Sequence, residues 1–264
     1  MLLGLSDNLQ AKDAPVFQTS VPVDVMQAHE ARQGVASDGT AIYVIDNSVI
    51  GKYRIADHAF IARFEGTATE LPHLNSCTMI EGELVCASSN YPATPQRGTV
   101  EVFDPVTLAH KRSVPMPENP GSLTTIGRRS GKWWAVFANY DGKGGVPGRD
   151  HRTTLLAQLG DDFTIERRYS APATILERIA PYSISGAAWG TGGRLYLSGH
   201  DKPEIYVVQL PPHGDVLIHQ ATLATASFGQ AIDIDPLRPD VIWSIDRDTG
   251  RVFASVLPVC KGTP

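Results

Sequence analysis

QGVASDGTAIYVIDN, residues 33–47, is the stretch on which the reading of the fold turns. It opens on a polar residue and a glycine, runs through a short apolar strand, and turns at Asp38-Gly39. A second apolar strand, rich in Ile, Val and Tyr, then ends in Asp46-Asn47. Asp-Gly between two such runs is hairpin chemistry, because the glycine takes up the left-handed backbone that a tight turn requires. The unit returns as NSCTMIEGELVCASSN from Asn75, GSLTTIGRRSGKWWAVFAN from Gly121, SGAAWGTGGRLYLSGHD from Ser185 and GQAIDIDPLRPDVIWSID from Gly229. A third strand follows each hairpin, as VIGKYRI, GTVEVFD, TTLLAQL, EIYVVQL and RVFASVL, and then a fourth such as KRSVPM or IERRYSA.

The openings at 33, 75, 121, 185 and 229 are spaced close to the ~40 to 50 residues that a four-stranded propeller blade needs. Only the third unit is long, and its excess lies in Asn139 to Arg152 and Ser170 to Ile184, which read as loop insertions. The fifth unit stops after RVFASVL. Phe17 to Val23 (FQTSVPV) is expected to supply its missing strand, where Pro22 suits an outermost edge that can spare an N–H. The expected fold is all-β: a single domain over residues 1–264, a five-bladed β-propeller with four antiparallel strands per blade, the last blade closed by the N-terminal strand. A sandwich would not need a period. Long helices are disfavoured by apolar runs of β-branched and aromatic residues and by 24 Gly and 19 Pro.

The net charge of -5, with basic residues only in short pairs such as Arg128-Arg129 and Arg167-Arg168, gives no footprint for nucleic acid or an acidic membrane. No run is long enough to span a bilayer, so the chain reads as soluble, and a periplasmic or secreted location with a removed leader stays open. Three cysteines are too few for a disulfide scaffold. If Glu81-Gly82 centres its hairpin, Ile80 faces Glu83, Met79 faces Leu84, Thr78 faces Val85 and Cys77 faces Cys86. Two small buried thiols are favoured over a bridge there, because closing so short a loop removes little chain entropy. Cys260 is expected to be free.

In a meander blade the starts of first strands, the ends of second strands and the connections between blades share one face. This sorting places Gln33, Asn47, His73, Asn75, Asn90, Tyr91, Asn139, Tyr140, Tyr182, Ser183, His200, Asp201, Gln230 and Asp246 at one mouth of the central channel. The longer loops gather on the same side, which is how a rigid scaffold usually presents a ligand site. His58, His110, His213 and His219 fall on the far face or an outer strand. His200 stands out because a carboxylate follows it, and an imidazole beside a carboxylate performs acid–base chemistry near neutral pH. Since neighbours on a strand point apart, Asp246 competes with Asp201 as its partner.

Gly127-Arg-Arg-Ser-Gly131-Lys132 is one residue short of a phosphate loop and lies in a hairpin. Asp246-Arg-Asp248-Thr-Gly250 lacks the later carboxylate of a calcium loop and reads as a turn. Carboxylates and a histidine at the mouth could ligate a metal, but the spacing demands none, and no cofactor is expected.

The strings HLNS from His73, SNYP from Ser89, WWAVFANY from Trp133, GGVPG from Gly144, PYSISGAAWG from Pro181 and GHDKPE from Gly199 resemble a family of bacterial propeller proteins labelled cycloisomerase-like. That family is similar in outline to the five-bladed glutaminyl cyclotransferases. The resemblance spans about Arg32 to Arg251 and implies the fold and a small-molecule enzyme. Towards the cyclotransferases only the QG opening at Gln33 and the blade rhythm match, so their activity is not carried over.

These readings converge on an enzyme acting on a small polar molecule by acid–base chemistry, as an isomerase, lyase, cyclising transferase or hydrolase. His200 would move the proton, with Asp201, Asp246 and His73 as further catalytic candidates. Gln33, Asn47, Asn75, Asn90, Asn139, Ser183 and Gln230 would orient the substrate between Tyr91, Tyr140 and Tyr182. A non-catalytic carbohydrate or small-molecule binder is the alternative. A protein-interaction platform fits less well, because the mouth is richer in Asn and His than in apolar surface.

Overall fold

The computed structural model describes residues 15–258. After β1 (Val16–Thr19) and β2 (Val21–Gln27), the chain builds five sheets in succession. The first comprises β3 (Gly34–Ser37), β4 (Ala41–Asp46), β5 (Val49–Arg54) and β6 (Phe60–Glu65). The second comprises β7 (Leu74–Ile80), β8 (Glu83–Ser89), β9 (Gly98–Phe103) and β10 (His110–Pro115). The third comprises β11 (Ser122–Arg129), β12 (Lys132–Ala138), β13 (Leu155–Leu159) and β14 (Ile165–Ser170). After α1 (Ala173–Ile179) come β15 (Gly186–Trp189), β16 (Leu195–Ser198), β17 (Glu204–Gln209) and β18 (Ile218–Ala224). The fifth sheet is β19 (Asp233–Ile234), β20 (Val241–Asp246) and β21 (Arg251–Val256), completed by β2. This is a five-bladed β-propeller with four antiparallel strands per blade.

Its core follows from the period of two along each second strand, which sends alternate side chains to opposite faces of a blade. Along β4, Ile42 and Val44 pack with blade five while Tyr43 and Ile45 pack with blade two. Along β8, Leu84 and Cys86 face blade one while Val85 and Ala87 face blade three. Along β12, Ala135 and Phe137 face blade two while Trp134 and Val136 face blade four. The result is five apolar clusters, one between each pair of neighbouring blades. At roughly 1.5–3 kcal/mol per large side chain buried, these interfaces carry the fold.

Ring closure differs in detail from the expectation. The segment Phe17 to Val23 is divided at Ser20: β1 lies parallel on the outer edge of blade four, pairing Phe17 with Thr222, and only β2 closes blade five against β21. Ser20 continues the β1–β18 contact by donating to the Ala224 carbonyl, and beyond it the β2–β21 register slips between Pro22 and Asp24, so the strand spares the missing N–H at a bulge and runs on to Gln27. The Ser170–Ile184 insertion also holds more order than a loop, because Ile175 and Ile179 of α1 are buried between blades three and four.

The hairpin pairs Ile80–Glu83, Met79–Leu84, Thr78–Val85 and Cys77–Cys86 all form, with Glu81 and Gly82 both at positive φ in the turn. Cys77 and Cys86 are joined as a disulfide, which corrects the expectation of two thiols. They are opposed in register and both face the interface between blades one and two, so one bond satisfies both sulfurs without leaving the core. Cys260 lies outside the described residues. Among the described residues no helix is long and apolar enough to cross a membrane.

Two measurements test this architecture. Removing residues 1–20 should leave a cooperatively melting protein, whereas removing residues 1–27 should expose the β21 edge and cause aggregation; equal behaviour of the two truncations would contradict closure by β2. Thiol titration in denaturant should count one reactive group of the 3 cysteines before reduction and all of them after it.

Candidate functional site

The mouth is assembled from loops that leave the second strands and enter the first. His200 lies just beyond β16, where the chain has bent out of the strand, so it and Asp201 are free to turn towards each other. Nδ1 of His200 contacts the Asp201 carboxylate, and Nε2 lies 3.0 Å from Nη1 of Arg247. A guanidinium can only donate, so Nε2 accepts, and the proton on Nδ1 is directed at Asp201. Tyr182 stacks on the imidazole with ring centres 4.3 Å apart and planes 22° apart.

A second aromatic group stands beside it. His73 lies 5.2 Å from Tyr91, and Tyr91 lies 5.2 Å from Tyr140 in an edge-on contact. Burial, assisted by the charge of Arg247, lowers the His73 pKa to about 4, so this imidazole is neutral at physiological pH. Burial and the nearby Tyr182 raise the Tyr91 pKa, against the opposing pull of Arg247. Burial likewise raises that of Tyr140. Arg247 is therefore the electrostatic centre of the mouth. Among the described residues it pairs with no carboxylate, and its backbone is fixed by Arg32, whose Nη1 donates to the Arg247 carbonyl at 2.9 Å.

Close backbone approach holds these loops in place. A Cβ at Gly229 would lie 2.3 Å from the His200 carbonyl oxygen, and its φ of +63° belongs to the left-handed region, so glycine is required there. Gly144, at φ +77°, lets the loop of residues 139–152 lie flat on the Tyr91 ring, where a Cβ would come within 2.4 Å. Nε2 of Gln96 donates to the Gly144 carbonyl at 3.1 Å and ties the two loops together.

The other expected site residues are divided between the mouth and the scaffold. Asp246 does not reach His200. Its carboxylate accepts from the Asp248 N–H, Thr249 and Arg251, and although burial opposes ionisation, these donors hold its pKa below the usual range. It anchors the turn that presents Arg247. Asn75 donates from one amide to the Ser89 hydroxyl and to the Leu123 carbonyl at 2.8 Å, joining blades two and three. Asn90 clasps its own loop, donating to the Pro95 carbonyl and accepting from the Arg97 N–H. Asn139 donates to the carbonyls of Pro120 and Thr153, and Ser183 shares a hydrogen bond with Thr154. Gln33 and Asn47 bond to each other at 3.0 Å. Gln230, with φ +66°, is buried, and its side-chain amide nitrogen has no partner among the described residues.

Sequence reasoning missed Arg247 altogether, because its position between two aspartates in a tight turn made the segment read as turn chemistry alone. Its available signal was its place at the end of a second strand, the same rule that picked out His200. Asp141, Asp150 and His151 bring potential ligand atoms within 4.8 Å of one another. Asp141 accepts from both the backbone and the ring of His151, while Asp150 pairs with Arg152, so these contacts clasp the 139–152 loop.

The molecule is a five-bladed propeller with Arg247, His200 and the rings of Tyr91, Tyr140 and Tyr182 gathered at one end of its channel. Among solved structures it is similar to Myxococcus xanthus glutaminyl cyclase, with a TM-score of 0.63 at 9% identity over 92% of this chain and 97% of that one. A streptogramin B lyase gives 0.52 at 8% identity, covering 89% and 97% of the two chains. The Cps50 (Swd1) β-propeller domain of Myceliophteria thermophila gives 0.51 at 9% identity, covering 90% and 100%. At such identities these likenesses establish the fold alone, and they lend nothing to the cycloisomerase-like label. No protein-family model and no curated protein matches the sequence.

The proximity of Arg247 to His73 is directly measurable. Arg247→Met should move the His73 pKa part of the way from about 4 towards the ordinary value of about 6.5, as followed by NMR of the ring protons. Because the folded His73 stays neutral where the unfolded chain binds a proton, stability should fall as pH drops from about 6.5 towards 4. His73→Gln should flatten that dependence in urea titrations; an unchanged slope would show that the imidazole is not held neutral by its site.

Proposed function

We propose that the protein is an enzyme that binds a small carboxylate-bearing molecule at this mouth and moves a proton on it with His200. The observation that carries this reading is the pairing of a carboxylate-free Arg247 with an imidazole whose other nitrogen faces Asp201. A guanidinium offers a planar fork of donors suited to a carboxylate, and in a half-buried setting it is a strong recognition element. Tyr91, Tyr140 and Tyr182 supply flat walls.

In this account the substrate carboxylate draws the Arg247 charge towards itself and leaves Nε2 of His200 to accept a proton from the substrate. Asp201 stabilises the resulting imidazolium through Nδ1–H. The same proton is then returned to a different atom or to a departing group, which covers isomerisation, elimination and ring closure. A glutaminyl cyclase and a streptogramin B lyase share the fold, but the reading rests on the site. The Cys77–Cys86 bridge supports the reading of a protein that works in an oxidising compartment.

A panel of small carboxylic acids, matched with their amides, should be screened by thermal shift and then for turnover. Arg247→Gln should weaken binding of the acids at least about tenfold while sparing their amides. His200→Gln should keep binding but lower turnover by about 10²–10⁴. If His200→Gln turns over like the wild type, the acid–base assignment fails; if the acids bind and are never transformed, the non-catalytic binder is the better description.

A further inference from the structure

The opposite end of the channel holds a cavity of about 320 Å³, lined by the far ends of the first strands of all five blades. Its size lies near the lower end of the ~300–1,000 Å³ range of small-molecule sites. Most of its wall is apolar, with Ile80, Ile126, Trp189, Ile234 and Pro236. Asp235 and Asp233 are both set into this wall, and the carboxylate left without a positive partner is that of Asp233, which is 7% exposed. Its two oxygens accept from the Thr78 hydroxyl and from the Ser37 N–H, each at 3.1 Å. No cation pairs with it among the described residues.

The charged groups around it are committed elsewhere. Asp235 accepts from Trp243 and Arg238 and from backbone N–H groups of Leu237 and Arg238. Arg128, on the cavity wall, pairs with Glu81 and lies over the Trp133 ring. Arg129 donates to the Gly190 carbonyl and lies over the Trp189 ring. A carboxylate can accept about four hydrogen bonds, and a buried one is costly without a positive partner. The cavity thus supplies apolar surface and, in Asp233, one carboxylate that neither Arg128, held by Glu81, nor any other described cation pairs with.

We propose that this cavity is a second binding site, for a small organic cation that carries an ammonium group on an apolar body. The ammonium meets Asp233, and the body lies against Ile126, Ile234 and Trp189. Burial also raises the Asp233 pKa to about 7, so a cationic guest would be favoured wherever that carboxyl is ionised. This site lies at the far end of the channel from Arg247 and does not depend on the function proposed for the mouth.

Calorimetric titration with n-butylammonium chloride and with 1-butanol tests the proposal. It is best done at about pH 8.5, where an alkylammonium, like a lysine side chain with a pKa near 10.4, stays protonated. The wild type should bind butylammonium at least about tenfold more tightly than butanol. Asp233→Asn should abolish that preference, and Ala187→Phe, which fills the cavity from its wall, should abolish binding. NMR contacts from the butyl chain to the Thr78 and Ala187 methyl groups of the wild type locate the guest without any variant. Equal affinity for amine and alcohol, no binding of the amine, contacts elsewhere on the protein, or a folded Asp233→Asn protein that keeps the preference would each overturn it.

Discussion

The antiparallel pairing of Val21–Gln27 with Arg251–Val256 is the constraint on which the remaining structure depends. A ring of blades buries its apolar faces only if the last blade meets the first, and the cluster shared by Met26, Val35, Val44, Trp243 and Val252 forms at that meeting. Without it two blades would show their inner faces to water, and the first strands would lose the arrangement that defines a channel. Closure by the N-terminal segment therefore couples the beginning of the chain to both ends of the channel, far from where that segment lies. It also leaves β1 on an outer edge, paired in parallel with β18 and contributing little to the core.

With the ring fixed, the mouth becomes an electrostatic problem. Arg247 brings a positive charge among rings whose burial favours neutral forms, and its effect is visible in the depressed pKa of His73 and in its opposition to the raised pKa of Tyr91. The turn that carries it is secured from below by Asp246 and from the side by Arg32. Of the asparagines that at first suggest a ligand site, Asn75 joins blades two and three, while Asn90 and Asn139 clasp the loops that begin beside Tyr91 and Tyr140. The side-chain amides of Asn75, Asn90 and Asn139 thus fix the backbone, while aromatic rings, imidazoles and one guanidinium gather at the mouth.

Much of this was legible in the sequence where a rule of period or turn applied. The hairpin at Glu81-Gly82 dictated the opposition of Cys77 and Cys86, and the blade rhythm dictated which strand ends share a face. Phe17 to Val23 was harder, because both halves of the segment are exposed β-formers and no local residue pattern tells which of two edges each will join. His200 and Asp201 paired because the chain bends after Ser198, which strand alternation does not describe. Arg247 was hidden for the opposite reason, since its neighbours Asp246 and Asp248 obey turn chemistry so well that the residue between them drew no notice. The far cavity was not legible at all, because it arises where five strand ends fail to fill the channel, a property of ring geometry with no local sequence mark.

The central claim is that Arg247 and His200 act together on a carboxylate at the loop-bearing mouth, and it is met most directly by a crystal structure of the protein soaked with a mixture of small carboxylic acids. The account predicts a carboxylate in contact with the Arg247 guanidinium, between Tyr91 and Tyr182, with the body of the acid within hydrogen-bond reach of the His200 ring. An Arg247 side chain turned away from His200, or acids bound anywhere else while the mouth holds none, would contradict it.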